Sequence, residues 1–185
     1  MPLALPRSSR PPGLLITPWS LESIGVPIQA AAQAVPASAL NANAAQLALY
    51  VPFRLAETVT CYKVFWNNGT AVAGNVDVGV YTEAGLKLLS AGATAQTTVS
   101  VLQEVDTTNT VLPGPARYYM GFVATDATTA TFLRISMPLG FGQSLGICSQ
   151  ASQTALPASA TFADPGGAFV YLPVFGIALR TLAAV

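Results

Sequence analysis

The sequence contains no histidine and only two cysteines. Histidine is the usual general base for a serine or cysteine nucleophile, and it is also the commonest metal ligand. Cys61 and Cys148 lie far apart and form no CxxC pair, so they supply too few ligands for a structural zinc or iron–sulfur site. We therefore predict no catalytic residue, no bound metal and no cofactor. We expect both thiols to be free structural groups, with a disulfide between them as the alternative.

Charged residues are scarce as well. They make up 9% of the chain, with eight basic and eight acidic residues, where a typical soluble domain has about 25%. Because the basic and acidic residues balance, the chain has no excess positive charge to attract nucleic acid or an acidic lipid surface, so we predict neither partner. A chain with 52% hydrophobic residues and so few charges tends to associate. We therefore predict permanent assembly with copies of itself or with other proteins.

Long apolar runs are missing too. No run of about 18 or more apolar residues occurs without a proline, a glycine or a polar residue, so no membrane-spanning segment is predicted. The nearest stretch, residues 169–185, contains Pro173, Gly176 and Arg180, and it is typical of a last buried strand. The first apolar run is broken by two prolines, so we expect no secretory signal.

Acidic residues could still form a catalytic pair, because a glycosidase needs only two carboxylates. Asp77, Glu104 and Asp106 lie on or beside predicted strands. Acidic side chains on the outward side of a sheet are normally solvated, so we expect no catalytic pair among them. The sequence also has no closely spaced acidic loop of the kind that binds calcium. We therefore predict that the chain is not an enzyme.

What the sequence does have is a strong strand signal. Residues 58–66 are β-branched or aromatic at nearly every position, which predicts a strand. The following Asn67-Asn68-Gly69 favours a tight hairpin turn. Beyond it Val76, Val78 and Val80 recur with period two, opposite a mixed face that includes Asp77 and Tyr81. We therefore predict a second strand, antiparallel to the first.

Short strands separated by glycine and proline continue through the rest of the chain. Turns are predicted at 82–85, 112–115 and 164–167. Further strands are predicted at 47–51, 86–89, 97–105, 117–124, 130–135, 144–148, 160–162 and 169–182. The pattern predicts an all-β fold, an antiparallel β-sandwich that is jelly-roll-like and occupies residues 46–185.

Residues 1–45 differ in kind, because prolines interrupt any regular ladder and favour extended backbone. We predict an extended N-terminal arm or linker. Its apolar residues are too many for a disordered tail, which normally lacks aromatic and branched side chains. We predict that they contact a neighbouring subunit, with folding back onto the arm's own domain as the alternative. The predicted contact residues are Leu14, Leu15, Ile16, Trp19, Leu21 and Ile24.

Aromatic side chains offer a different kind of site. Exposed rings can stack on sugars, so Trp66, Tyr62 and Tyr81 are candidate glycan contacts, although the core or a subunit contact is the other interpretation of each. Asn68-Gly69-Thr70 matches the N-glycosylation pattern, but the same Asn-Gly pair is the predicted turn, which we favour.

Three segments carry a resemblance to a known kind of domain. They are VPF at 51–53, VFWNNGTAVAGNVDVGVYTEAGLKLLSAGAT at 64–94 and VLPGPARYYMGFVAT at 111–125. Together they resemble a β-sandwich domain of bacteriophage virion proteins, in which a GNxDVGxY strand precedes an LPPGxYYL-like element. The resemblance covers roughly residues 46–135.

The resemblance implies a structural protein of the phage particle, assembled in the host cytoplasm and located in the virion. The leading hypothesis is a capsid decoration or cement protein. We expect it to form a homo-oligomer, such as a trimer, and to bind other virion proteins such as the major capsid protein. The alternative is a tail or fibre component that binds host-surface glycan.

Overall fold

A computed structural model gives the structure of the chain. It describes residues 47–126, 129–165 and 171–181, together with the backbone of two short segments at 15–16 and 33–36. Among these residues, no helix is long and apolar enough to cross a membrane. The elements are β1 (Leu15–Ile16), β2 (Gln33–Pro36), β3 (Ala48–Leu55), β4 (Val59–Asn67), β5 (Asn75–Thr82), β6 (Lys87–Ser90), β7 (Thr94–Ala95), β8 (Leu102–Leu112), β9 (Ala116–Ala124), β10 (Thr131–Ser136), α1 (Phe141–Ser144), β11 (Cys148–Gln150), β12 (Tyr171–Pro173) and β13 (Phe175–Thr181).

The strands form two main sheets and one small sheet. The four-stranded sheet has the order β1-β13-β4-β8, and the six-stranded sheet has the order β11-β3-β9-β5-β6, with β7 also paired to β5. A three-stranded sheet has the order β12-β10-β2. All of these pairings are antiparallel. The chain changes sheet from β3 to β4, from β4 to β5 and from β8 to β9, so the predicted all-β antiparallel sandwich is confirmed.

The core lies between the two main sheets. The predicted strand at 117–124 is confirmed as β9, and its alternate residues Tyr118, Met120 and Phe122 all belong to the main cluster of buried side chains. The Phe122 ring meets the ring of Phe175 on β13 with centroids 5.1 Å apart, which joins the six-stranded sheet to the four-stranded one. Phe132 on β10 packs edge-on against the same ring at 5.1 Å. These ring contacts join the three sheets around one core.

The predicted hairpin at Asn67-Asn68-Gly69 is wrong. Strands β4 and β5 lie in different sheets and do not pair. The three backbone N–H groups instead bond to three separate segments: Asn67 to the Val174 oxygen, Asn68 to the Val101 oxygen and Gly69 to the Thr131 oxygen, each at 2.9 Å. A Cβ at Gly69 would overlap the Thr131 side chain. Glycine is required here for close approach, and the chain crosses between sheets rather than turning back.

Two other predictions in this part of the chain have different outcomes. The hairpin around residues 82–85 is confirmed, because β5 pairs with β6 and Gly85 adopts a φ of +84° in the turn. The predicted strand at 97–105 is only partly right, because β8 begins at Leu102 and continues to Leu112. Ser100, with a φ of 55°, interrupts extended backbone before that point.

The C-terminal part departs further from the predicted pattern. Residues predicted as a strand at 144–148 instead include the end of α1, and β11 starts only at Cys148. Residues 160–162 form no strand, although Ala163 makes an isolated bridge to Ser149. The predicted strand at 169–182 is divided at Val174, whose N–H bonds to the Leu133 oxygen, and the two parts join different sheets.

Two segments of the predicted arm belong to the sheets. The backbone of β1 pairs with β13, with Leu15 opposite Ala178 and Ile16 opposite Ile177. The backbone of β2 pairs with β10 over residues 33–36. These pairings lie within one chain, as in the alternative that the arm folds back onto its own domain. The other predicted contact residues, Leu14, Trp19, Leu21 and Ile24, lie outside the described residues.

Candidate functional site

The predicted glycan contacts do not form an exposed surface. Trp66 and Tyr81 are both 0% exposed, and Tyr62 is half-buried. The Trp66 indole faces the core and donates through Nε1 to Asn68 Oδ1 at 2.9 Å. The Tyr81 hydroxyl donates to the Pro157 oxygen at 2.6 Å. The prediction that Trp66 and Tyr81 contact a glycan is therefore wrong, because both rings lack an open face.

Asn68 is a structural residue. It is 1% exposed, so the glycosylation interpretation of this position fails. Its Nδ2 donates to the Thr98 oxygen at 2.8 Å and to Gln103 Oε1 at 3.0 Å, while its Oδ1 accepts from Trp66. One buried amide thus ties the end of β4 to the loop before β8 and to β8 itself.

The two cysteines are free, as predicted. Cys61 is buried, and that burial raises the pKa of its thiol to about 12. Cys148 is half-buried, and its pKa is also raised by burial. Within the described ranges, no group of three or more cysteine, aspartate or glutamate side chains could hold a metal ion.

The three acidic residues singled out on strands behave differently from one another. Glu104 and Asp106 lie at the surface beside Lys63, whose Nζ is 3.1 Å from Glu104 Oε2 and 3.6 Å from Asp106 Oδ1. The hydrogen bond that Lys63 donates to Glu104 is the main cause that raises the pKa of Lys63. Asp77 is 2% exposed. The expectation of a solvated Asp77 is therefore wrong, because other residues cover its face of the sheet.

The covering residues are 151–165, which we call the strap. The strap crosses the outer face of the six-stranded sheet and encloses a second apolar cluster there, separate from the main core. Phe162 of the strap packs against Tyr119 at 4.2 Å between ring centroids and against Tyr50 at 5.1 Å. The buried members of this cluster are Ala48, Tyr50, Tyr81, Tyr119, Val123 and Leu156.

Leu156 is the central side chain of the strap. It lies over Gly79 and Gly121, which face each other across β5 and β9. A Cβ at Gly79 would overlap the Leu89 oxygen and would also stand 3.0 Å from Leu156 Cδ1, and one at Gly121 would stand 3.0 Å from Leu156 Cδ2. The glycine pair therefore leaves a notch in the sheet that the leucine side chain fills.

The backbone N–H and the backbone oxygen of Leu156 are both hydrogen-bonded to side chains of the sheet. The Leu156 N–H donates to Asp77 Oδ2 at 3.0 Å, and the Leu156 oxygen accepts from Lys87 Nζ at 2.7 Å. With the bond from Tyr81 to Pro157, the sheet fixes the Leu156-Pro157 pair through three side chains. Burial is the largest effect on Asp77 and raises the pKa of its carboxyl, while the Leu156 N–H and the Lys87 charge oppose the rise.

A separate surface feature lies at one end of strand β8. Val99, Val101 and Leu102 are 46%, 40% and 44% exposed, and we call these three residues the tip patch. Leu102 is opposite Asn67, so the tip patch lies at the end of the sandwich where β4 finishes. Val111, 51% exposed, lies near the other end of β8. Within the part of the chain that the structure describes, β8 has a strand partner on one side only.

The sequence matches no protein-family model, no curated protein and no solved structure. The described residues include an exposed apolar surface, the tip patch. They also include buried polar contacts that stabilise the fold, such as those of Asn68 and Leu156.

Proposed function

We propose that this chain is a non-enzymatic structural protein of a bacteriophage particle, and that it decorates the capsid and stabilises the shell through subunit contacts. The sequence resemblance of residues 46–135 to virion β-sandwich domains supports this proposal, and so does the confirmed all-β sandwich. The partners are other copies of the chain, in a homo-oligomer such as a trimer, and the major capsid protein.

The observation that carries the proposal is the tip patch on a chain with 9% charged residues. Three neighbouring apolar side chains are more than a third exposed there. Each is already more than half buried, so covering the exposed part against a partner contributes less than half of the roughly 1.5–3 kcal/mol of full burial, before the cost of association. A partner surface that covers the patch removes this apolar area from water and explains how so few charges suffice for solubility.

The N-terminal arm is the second contact in this proposal. Its β1 backbone pairs with β13 of the same chain, so the contact with a neighbouring subunit depends on the other apolar residues of the arm. Leu14, Trp19, Leu21 and Ile24 supply further apolar side chains for a neighbouring subunit. Deletion of residues 1–25 lowers the occupancy of the protein on particles but leaves the sandwich folded, because β1 contributes only two residues. Unchanged occupancy would contradict the role of the arm.

The copy number in purified particles tests the proposal as a whole. A shell component is present in hundreds of copies, whereas a tail component with closed cyclic symmetry is present in about three to eighteen. The glycan-binding alternative keeps only Tyr62 of its three candidate residues, since Trp66 and Tyr81 are fully buried. We therefore propose the shell role alone.

A further inference from the structure

The strap is fastened to the six-stranded sheet along most of its length. Its C-terminal end is held by the bridge between Ala163 and Ser149 of β11. Its middle is held by Leu156 in the glycine notch, and its later part by the bond from the Ala160 N–H to the Gly85 oxygen at 2.8 Å. Gln143 Nε2 also donates to the Asp164 carboxylate at 2.9 and 3.0 Å. These contacts make the strap a defined cover over a tyrosine-rich surface.

Asp77 is the one acidic group beneath the middle of this cover among the described residues. Oδ2 accepts from the Leu156 N–H, whereas Oδ1 is buried without a hydrogen-bond partner in the described chain. The Ser90 hydroxyl and the Gly92 N–H favour the ionised form, but neither forms a hydrogen bond of good geometry with Oδ1. A buried carboxylate oxygen without a partner is costly, and the cost falls when the group takes up a proton.

The charged and titratable groups near Asp77 lie on β5 and β6, and Tyr50 on β3 contacts one of them, Tyr81. Lys87 on β6 supplies a positive charge and also bonds to the Leu156 oxygen. Tyr81 on β5 itself and Tyr50 on β3 are neutral, because burial raises the pKa of both hydroxyls above the ordinary value. Lys87 is therefore the only counter-charge that acts on Asp77 from the described residues.

We propose that the strap is a proton-linked cover: Asp77 in its protonated form holds residues 151–165 on the sheet more firmly than the ionised form does. In the covered state the carboxyl is buried, and its pKa is raised above the ordinary value. In an uncovered state water reaches the carboxyl, and the pKa returns toward that ordinary value. The covered state therefore binds the proton more tightly.

The direction of the pH effect follows from this difference. As the pH falls through the raised pKa, Asp77 takes up a proton and the covered state is favoured. As the pH rises above it, the ionised carboxylate remains buried at a cost and the strap opens more often. Opening exposes the apolar face that contains Tyr50, Tyr81 and Tyr119, so pH controls access to an aromatic surface.

Hydrogen exchange at the Leu156 amide measures the opening directly, because this N–H donates to Asp77. The experiment follows the full chain between about pH 4.5 and about pH 7.5, with rates corrected for intrinsic exchange. We expect protection to increase as the pH falls, by about tenfold for each pKa unit that separates the covered and uncovered states. Corrected protection that does not change with pH, or that decreases toward acid pH, would overturn the proposal.

Variants separate Asp77 from other contacts of the strap. Asp77→Asn keeps an oxygen for the Leu156 N–H but removes the titration, so protection becomes independent of pH. Asp164→Asn is the matched control, because it changes a carboxylate on the strap that is exposed and bonded to Gln143. In this control the corrected protection of the Leu156 amide changes with pH as it does in the wild type. Equal slopes in Asp77→Asn and in the wild type would overturn the assignment to Asp77.

A third variant keeps the test decisive if Asp77→Asn does not fold. Lys87→Met removes the counter-charge and also the bond to the Leu156 oxygen. It lowers protection at every pH, and it enlarges the total change in protection across the titration because the pKa of Asp77 rises further without the positive charge. A total change equal to or smaller than that of the wild type would contradict the linkage.

Discussion

Trp66 and Asn68 form a buried pair in which the indole Nε1 donates to the amide Oδ1 at 2.9 Å. The pair lies at the point where the chain leaves the four-stranded sheet. Because the same amide also binds the Thr98 oxygen and Gln103, the crossover is fixed by contacts distant in the sequence. A local Asn-Gly turn would break all of them.

Substitution of Asn68 by alanine therefore destabilises the fold. It leaves the buried Trp66 N–H without a partner and removes the bonds to the Thr98 oxygen and to Gln103, and we expect a loss of about 2–4 kcal/mol in the free energy of unfolding. Urea denaturation measures the loss. Asn109→Ala on the exposed side of β8 is the control, with an expected change below about 0.5 kcal/mol. Equal midpoints for the two variants would show that the amide network does not hold the crossover.

The notch beneath Leu156 predicts that substitutions at Gly121 and at Leu156 are energetically coupled. Gly121→Ala places a Cβ 2.9 Å from Tyr81 Cε2 and 3.0 Å from Leu156 Cδ2, so we expect a loss of about 1–3 kcal/mol from overpacking. Leu156→Ala removes one of the opposing side chains. The double variant is then more stable than the sum of the two single losses predicts, by at least about 0.5 kcal/mol. Additive losses in urea denaturation would mean that the leucine does not occupy the notch.

The tip patch predicts association. Combined replacement of Val99, Val101 and Leu102 by serine lowers the weight-average mass measured by light scattering at a given concentration. The free energy of unfolding in urea stays within about 1 kcal/mol of the wild-type value, because the three side chains are already exposed in the wild-type protein. Val111→Ser is the control at the other end of β8, and it retains the wild-type mass. A wild-type protein with the mass of one chain at all concentrations would refute the prediction.

The two thiols predict unequal reactivity in the folded protein. Thiolate is the reactive form, and the pKa of the buried Cys61 is raised to about 12, so this residue reacts slowly with a thiol reagent near neutral pH. The half-buried Cys148 reacts faster. A Cys61→Ser variant, which leaves Cys148 as the single thiol, assigns the fast phase. Absence of any free thiol in denatured, unreduced protein would mean that a disulfide joins the two residues.

The sequence predicted the class of fold because period-two patterns are local. Tyr118, Met120 and Phe122 alternate along the strand predicted at 117–124, and all three are buried in the main core. The partner of each strand was harder to predict. Asn67-Asn68-Gly69 has the composition of a hairpin turn, yet the Gly69 N–H bonds to Thr131, a contact that no local pattern reveals.

The strap escaped prediction for a related reason. Residues 151–165 are rich in small and polar side chains and resemble an ordinary surface loop. The mixed face of β5 was recognised, but alternation alone does not tell whether another segment covers that face. Gly79 and Gly121 were the available signal, because two glycines within strands often mark a close approach of other residues. Their position opposite each other became evident only from the register of β5 and β9.

The account depends most on the claim that this charge-poor sandwich serves as a subunit of a phage shell. Quantitative mass spectrometry of purified particles, with the major capsid protein as the internal reference, measures the number of copies per particle. We predict on the order of hundreds, as closed shell symmetry requires. Absence of the chain from purified particles, or a copy number of about three to eighteen, would contradict the shell role.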